Sequence, residues 1–311
     1  LHLLSRRQRQ MCIRDRNLKF GAADIGGVYY SFASTFTQLA DKEIDGYTFE
    51  TKTTAGSVAN LRLISDGYID LAIVQADLLS DAYNATGTFA DKKYQKGYKA
   101  VASLYTECCQ IVVRKDSGIT GIDDLINKTV SVGASESGTE KNAEQILKMS
   151  GITDELINKV NMDYTEAAEK LKAGEIDAFF CTAGTRTEVI GQLSKECDIR
   201  LISLDDKCID KMLSAYSLCE KYTIPAGTYN GQDSDVTTIG VKAVLIAKQS
   251  LSDDVIKNVT KTIYEHADDF KYATSLDISF DINTAADGVD IPFHSGAAAY
   301  YTERGINVLT E

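Results

Sequence analysis

The chain of 311 residues is 44% hydrophobic and 25% charged, an ordinary globular composition with length enough for two packed domains. Its 45 acidic against 33 basic residues leave a formal net charge of -12, which excludes a nucleic-acid partner because phosphate binding needs clustered Lys and Arg. No run of roughly 18 apolar residues occurs, so no segment reads as a membrane span.

Residues 1–16, LHLLSRRQRQMCIRDR, carry five arginines and no apolar stretch after the basic start. They do not read as a secretory signal and are set aside as a foreign-looking tail. On that reading the natural start, where an export signal or lipid-anchor cysteine belongs, is missing. From Leu18 to Ala40 (LKFGAADIGGVYYSFASTFTQLA) the pattern is strand, Gly-rich polar loop, helix. Thr48 to Ser57 (TFETKTTAGS) is extended. Asn60 to Asp77 (NLRLISDGYIDLAIVQAD) gives an amphipathic helix ending at Gly67, then a tight turn and a buried strand.

Val101 to Ser117 is a long β-rich run, after which the plan repeats. Thr129 to Met149 (TVSVGASESGTEKNAEQILKM) is again strand, polar loop, helix. Lys159 to Tyr164 is extended, and Ala167 to Gly184 (AAEKLKAGEIDAFFCTAG) is helix then strand. Thr237 to Ala247 reads as a return strand, and helices are expected over 253–272 and 296–304. Gly67, Ile69 and Asp70 recur as Gly174, Ile176 and Asp177, each 107 positions later. Two βαβαβ lobes are the economical explanation, each a mostly parallel, doubly wound α/β sheet, joined by a two-crossing hinge. Residues 17–114 and 236–311 would form the first lobe, and 115–235 an inserted second one. Such sheets bind ligands outside the carboxyl ends of their strands.

Three loops fall at that edge. Asp24 to Ser31 (DIGGVYYS) ends a strand and opens a helix, so its free N–H groups suit an anion. Gly26 and Gly27 permit close approach there, and Tyr29 and Tyr30 offer hydroxyls or a ring wall. A tight turn with tyrosines packed on the sheet explains the same residues. Gly133 to Thr139 (GASESGT) adds amides and the hydroxyls of Ser135, Ser137 and Thr139, although Ser137 or Thr139 serves equally as a plain helix N-cap. No Lys follows Gly138, which counts against a nucleotide phosphate loop. Thr53, Thr54, Gly56 and Ser57 start a third helix. Gln75, at the end of the run 71–74, is either a ligand contact or the first exposed polar residue.

Catalytic patterns are poor: neither GxSxG nor HExxH occurs, and His294 beside Ser295 has no evident partner. The paired acids Asp123-Asp124, Asp205-Asp206 and Asp268-Asp269 read as caps and solvated charge. Seven cysteines form no CxxC pair, so a zinc site is not expected. Cys108, Cys109 and Cys181 read as small core side chains, whereas Cys197, Cys208 and Cys219 have the makings of one disulfide in an exported protein.

Taken in order, GGVYYSF, TAGSVANLRLISDGYIDLAIVQAD, SVGASESGTE, AAEKLKAGEIDAFF, TIPAGTYNGQDSDVTTIG and IPFHSGAAAYYTERGI resemble the TAXI-type solute-binding proteins of tripartite ATP-independent periplasmic (TRAP) transporters. The resemblance spans Leu18 to about Ile306. It implies a type II periplasmic-binding-protein fold, an extracytoplasmic location, no catalysis or cofactor, and delivery of a small-molecule anionic ligand to a membrane TRAP permease. The ligand would be a dicarboxylate, a 2-oxo acid or an amino acid such as glutamate, bound by a monomer. By analogy, ligand contact falls on Gly27, Val28, Tyr29, Tyr30, Ser57, Gln75, Ser137, Gly138, Thr139 and Gly184. Thr185 to Thr187 (TRT) departs from the more apolar, proline-containing stretch common in relatives. That change either brings Arg186 to the cleft as a carboxylate partner or leaves it on the surface at a helix start. The alternatives are a binding protein for an ABC importer, a ligand sensor, or, with less support, an enzyme on the same fold.

Overall fold

A computed structural model describes residues 16–90, 94, 96–275 and 280–311. The tail at 1–15, Cys12 included, lies outside the described residues. The first βαβαβ unit consists of β1 (Arg16–Gly21), α1 (Val28–Glu43), β2 (Tyr47–Lys52), α2 (Ser57–Ser65) and β3 (Leu71–Gln75), followed by α3 (Ala76–Asn84). The 17-residue β4 (Tyr98–Arg114) leads to the second unit. That unit is β5 (Thr129–Ser131), α4 (Gly138–Met149), β6 (Asn158–Val160), α5 (Tyr164–Ala173) and β7 (Ala178–Ala183). There follow α6 (Glu188–Glu196), β8 (Ile199–Leu201), α7 (Asp206–Ala215), β9 (Cys219–Ile224), β10 (Val236–Lys248), α8 (Asp253–Glu265), α9 (Ala267–Thr274) and α10 (Ser295–Thr302).

The strands run in the order β2-β1-β3-β10-β4-β7-β5-β6, with β8 on β4 and β9 on β10. Inside each βαβαβ unit the pairing is parallel, whereas β10 runs antiparallel to β3 and β4 antiparallel to β7. The long strand β4 serves both halves: its residues 98–108 pair with β10, and 108–113 pair with β7. The sheet thus divides into two βαβαβ lobes, with β4 and β10 as the long strands between them.

The repeated Gly, Ile and Asp now have a physical role. Gly67 and Gly174 adopt left-handed φ of +85° and +75° just past α2 and α5, where a side chain would be strained. Asp70 then accepts the Lys19 amide at 2.9 Å, and Asp177 accepts the Thr129 amide at 2.8 Å. Each aspartate thus ties the third strand of its unit to the first, fixing register where the helix hands over to the sheet. Burial on both sheet faces accounts for the apolar runs. In β7, Phe179 and Cys181 join one core cluster, and Ala178 and Phe180 the other, by strict strand alternation.

Two expectations change. The helix expected over 253–272 is broken at His266, whose ring bonds Asp269 at 2.9 Å and Glu43 of α1 at 2.6 Å. The three cysteines Cys197, Cys208 and Cys219 are free thiols, as are the other described ones.

His294 is buried at the start of α10, where Nδ1 accepts the Gly296 amide at 3.2 Å and Nε2 has no hydrogen-bond partner among the described residues. Burial holds its pKa below 6.5, outweighing the pull of Asp253. A folded pKa below the unfolded one means the unfolded chain binds the proton more tightly. Stability from this group is full above the unfolded value and is lost as pH falls through the folded one. The expected result is that the stability difference between wild type and His294→Gln, followed by urea unfolding, shrinks on acidification from about pH 7 to pH 5.

Candidate functional site

The two lobes enclose a cleft whose free space, its open mouth included, is about 470 Å³. Five helices begin on it, α3 from Gln75 among them. The first two, α1 and α2, start from Gly27 and Gly56 with no capping side chain, so the leading amides of α1 and those of Ser57 and Val58 in α2 are left for a guest, while the Ala59 amide is taken by the other lobe. Gly56 sits at φ +121°, and a Cβ there would stand 3.4 Å from the Ser137 Cα of the other lobe. That contact is ordinary; it is the positive φ that favours glycine at this turn. The starts of α4 and α5 are capped: Ser137 Oγ accepts the Glu140 amide at 3.0 Å, and Asp163 accepts the Glu166 amide at 2.8 Å.

Behind these loops lies a polar wall. Tyr29 donates to Glu107 at 2.7 Å, with both side chains buried. Gln75 receives backbone support through its amide, which donates to Ser57 Oγ at 3.1 Å, and its Nε2 donates to Asn142 across the cleft at 3.0 Å. Among the described residues its Oε1 is buried without a partner. On the second lobe the Thr182 amide donates to Thr139 Oγ1 at 3.1 Å, and Tyr164 donates to the Thr182 carbonyl at 2.9 Å. Tyr164 has one proton, so the 2.5 Å contact between Thr139 and Tyr164 has the threonine as donor. Thr139 therefore holds the wall together, whereas the Ser137 proton stays free for a ligand.

Charge in the cleft is one-sided. Asp24, Glu107 and Asp163 line it, and neither Lys nor Arg is among the lining residues. Burial and the neighbouring Asp163 raise the Asp24 pKa against the opposing pull of nearby amides. Burial pushes Glu107 to about 8 and Asp77, just behind the wall, to about 6. Among the described residues no group of three His, Cys, Asp or Glu side chains is arranged for a metal ion. No helix among them is long and apolar enough to cross a membrane.

Direct contacts bridge the lobes at the rim. Arg62 of α2 makes a two-pronged pair with Glu136, at 2.7 Å through Nη2 and 3.3 Å through Nε. The Ala59 amide donates to the Glu136 carbonyl at 3.1 Å. The ion pair is half-exposed and contributes only about 0.2–1 kcal/mol, so it orients the closed arrangement more than it holds it shut.

Of the residues expected at the ligand, Gly27, Val28, Tyr29, Ser57, Gln75, Ser137, Gly138 and Thr139 are brought together around the cleft. The other three lie outside its lining. Tyr30 is half-buried on α1 against the core, and buried Gly184 gives its carbonyl to the Thr187 hydroxyl at 2.7 Å. Arg186 is exposed at φ +70°, so the surface alternative describes its position and the cleft loses its expected cation. Sequence reasoning missed Glu107, Asp163 and Tyr164. For Glu107 a signal existed: a lone acid within VASLYTECCQIVVR, where an unpaired buried charge is costly.

The NMT1-like family model matches residues 20–305. Among solved structures, a putative L-cystine ABC transporter from Listeria monocytogenes is 13% identical, with TM-score 0.54, over 84% of this chain and 94% of that one. The periplasmic binding protein BugD is 11% identical, with TM-score 0.55, over 83% and 85%. An ancestral arginine-binding protein bound to arginine is 15% identical, with TM-score 0.51, over 83% and 96%. At such identities the likeness is one of fold. The chain belongs to the NMT1-like family, and its fold is that of the two-lobed periplasmic solute-binding proteins.

Proposed function

We propose that the chain is the extracytoplasmic solute-binding subunit of a TRAP transporter of the TAXI kind, capturing a small organic acid without turnover and working as a monomer. The observation that carries this reading is the convergence of helix starts from both lobes on one cleft. A solute that bridges them has higher affinity for the closed form and shifts the open-closed equilibrium towards it, with the inserted lobe, 115–235, swinging about β4 and β10. The closed form is what the permease reads.

Within the organic acids, the cleft favours an α-amino acid. Free amides at α1 and α2 suit its carboxylate, and Asp24 with Asp163 suits its ammonium. A dicarboxylate brings two negative charges to a wall that has no cation.

Thermal shift across amino acids, dicarboxylates and 2-oxo acids tests the reading. A ligand at about 100 times its Kd adds about 2.7 kcal/mol of stability, a clear rise in Tm. Folded protein that responds to none of them would remove the organic-acid assignment. Ser137→Ala should weaken the responding ligand by about tenfold, the worth of one hydrogen bond in a buried site, and, because the same Oγ caps α4, should also lower the stability of the free protein by about 0.5–2 kcal/mol. For the partner, uptake into proteoliposomes bearing the two permease subunits should follow an ion gradient and need no ATP. A requirement for ATP would favour an ABC importer instead.

A further inference from the structure

We propose that Glu107 is held as a neutral carboxylic acid and is the residue that sets the charge of the solute end reaching the back of the cleft: a carboxylate is accepted only while that proton is in place. This rests on reading the cleft as the solute site.

The geometry is that of an acid with no counter-ion. Glu107 is 2% exposed, at the centre of a strand buried on both faces, yet it still lines the cleft. Its one hydrogen-bonding neighbour on α1 is Tyr29, a donor that leaves Glu107 one oxygen to spare. The titratable groups facing it from the packed elements are Tyr29 on α1, Asp77 on α3, Tyr105 and Cys108 on β4, Tyr164 on α5 and Cys181 on β7. Every one is neutral or negative. A second charge could come only from the solute.

One buried atom wants what a neutral acid offers. Gln75 flanks Glu107, and among the described residues its Oε1 is an acceptor with no donor. Neutral Glu107 supplies the donor hydroxyl that a carboxylate lacks. Burial accordingly lifts its pKa to about 8, against the pull of Tyr29 and Gln75. The consequence for binding is a switch in preference. In the acid form the one hydroxyl proton turns from Gln75 Oε1 to a solute carboxylate that reaches it. Once ionised, the group repels that carboxylate and accepts from an amide instead.

L-glutamate and L-glutamine separate these cases, because they share the backbone ammonium and differ only at the distal end. Their affinity ratio, from calorimetry between about pH 6.5 and pH 9, should move towards glutamine by about tenfold per unit above the Glu107 midpoint. In Glu107→Gln, which stays neutral, the ratio should not move. A ratio constant with pH in the wild type overturns the proposal. Infrared difference spectra give a readout without ligand. Wild type minus Glu107→Gln should show one protonated carboxyl at about pH 6.5 that titrates away in alkali, and its absence overturns the proposal equally. If neither amino acid binds while that band is present, the organic-acid reading fails and the neutral acid stands.

Discussion

Gly138→Ala should weaken solute binding by about 10- to 100-fold, equivalent to the roughly 1–3 kcal/mol of an overpacked contact, while each lobe stays folded. A Cβ at this position would stand 2.8 Å from Gln75 Nε2 and collide with the rest of that amide. Gln75 has little room to yield, because it is buried on β3 and donates to Asn142 across the cleft. Gly138 belongs to the second lobe and Gln75 to the first, so the clash is relieved by moving the lobes apart. The substitution therefore acts on the closed form alone. Alanine suits the first turn of α4 better than glycine does, so the free protein should melt no lower. Calorimetry with the thermal-shift ligand and scattering of the liganded protein give the two readouts. Unchanged affinity together with full compaction would show that the Gln75 amide gives way.

Much of this architecture was legible because it is written locally. The repeat of Gly67, Ile69 and Asp70 at 174–177 marks a helix stop and a register pin, both made within a few residues of sequence, and the two-lobe α/β fold follows from it. The Gly-rich helix starts were legible for the same reason, since an uncapped start is a property of its own first turn. What could not be read was decided across the chain. Asn142 lies on α4 with the look of an ordinary helical polar residue, and only the facing of the lobes sets it against Gln75. The break at His266 carries no Gly or Pro, because the contact with Glu43 of α1, 223 positions away, stabilises it. For Arg186 the two alternatives differed by a backbone choice. Its left-handed φ turns the TRT segment so that the side chain faces solvent.

Asn60 belongs to this second kind, and its replacement by Ala should cost about 2–4 kcal/mol of unfolding free energy, the cost of a small cavity plus buried carbonyls left unmet. On sequence it is one polar residue of an amphipathic helix. In the fold it is 0% exposed, and its Nδ2 donates to the Ala22 carbonyl at 2.6 Å and the Ile73 carbonyl at 2.9 Å. Its Oδ1 accepts from the Thr54 hydroxyl at 2.7 Å. One side chain thus joins the end of β1, the body of β3 and the loop that opens α2. That loop holds Gly56 and Ser57 at the cleft, so the stability loss should come with weaker solute binding. Asn60→Asp should be at least as harmful, because it preserves the acceptor for Thr54 but sets a carboxylate against two carbonyl oxygens. Urea unfolding measures the first effect and calorimetry the second. A loss below about 1 kcal/mol in Asn60→Ala would mean that water enters and satisfies the carbonyls, and that this asparagine is not what fixes the loop.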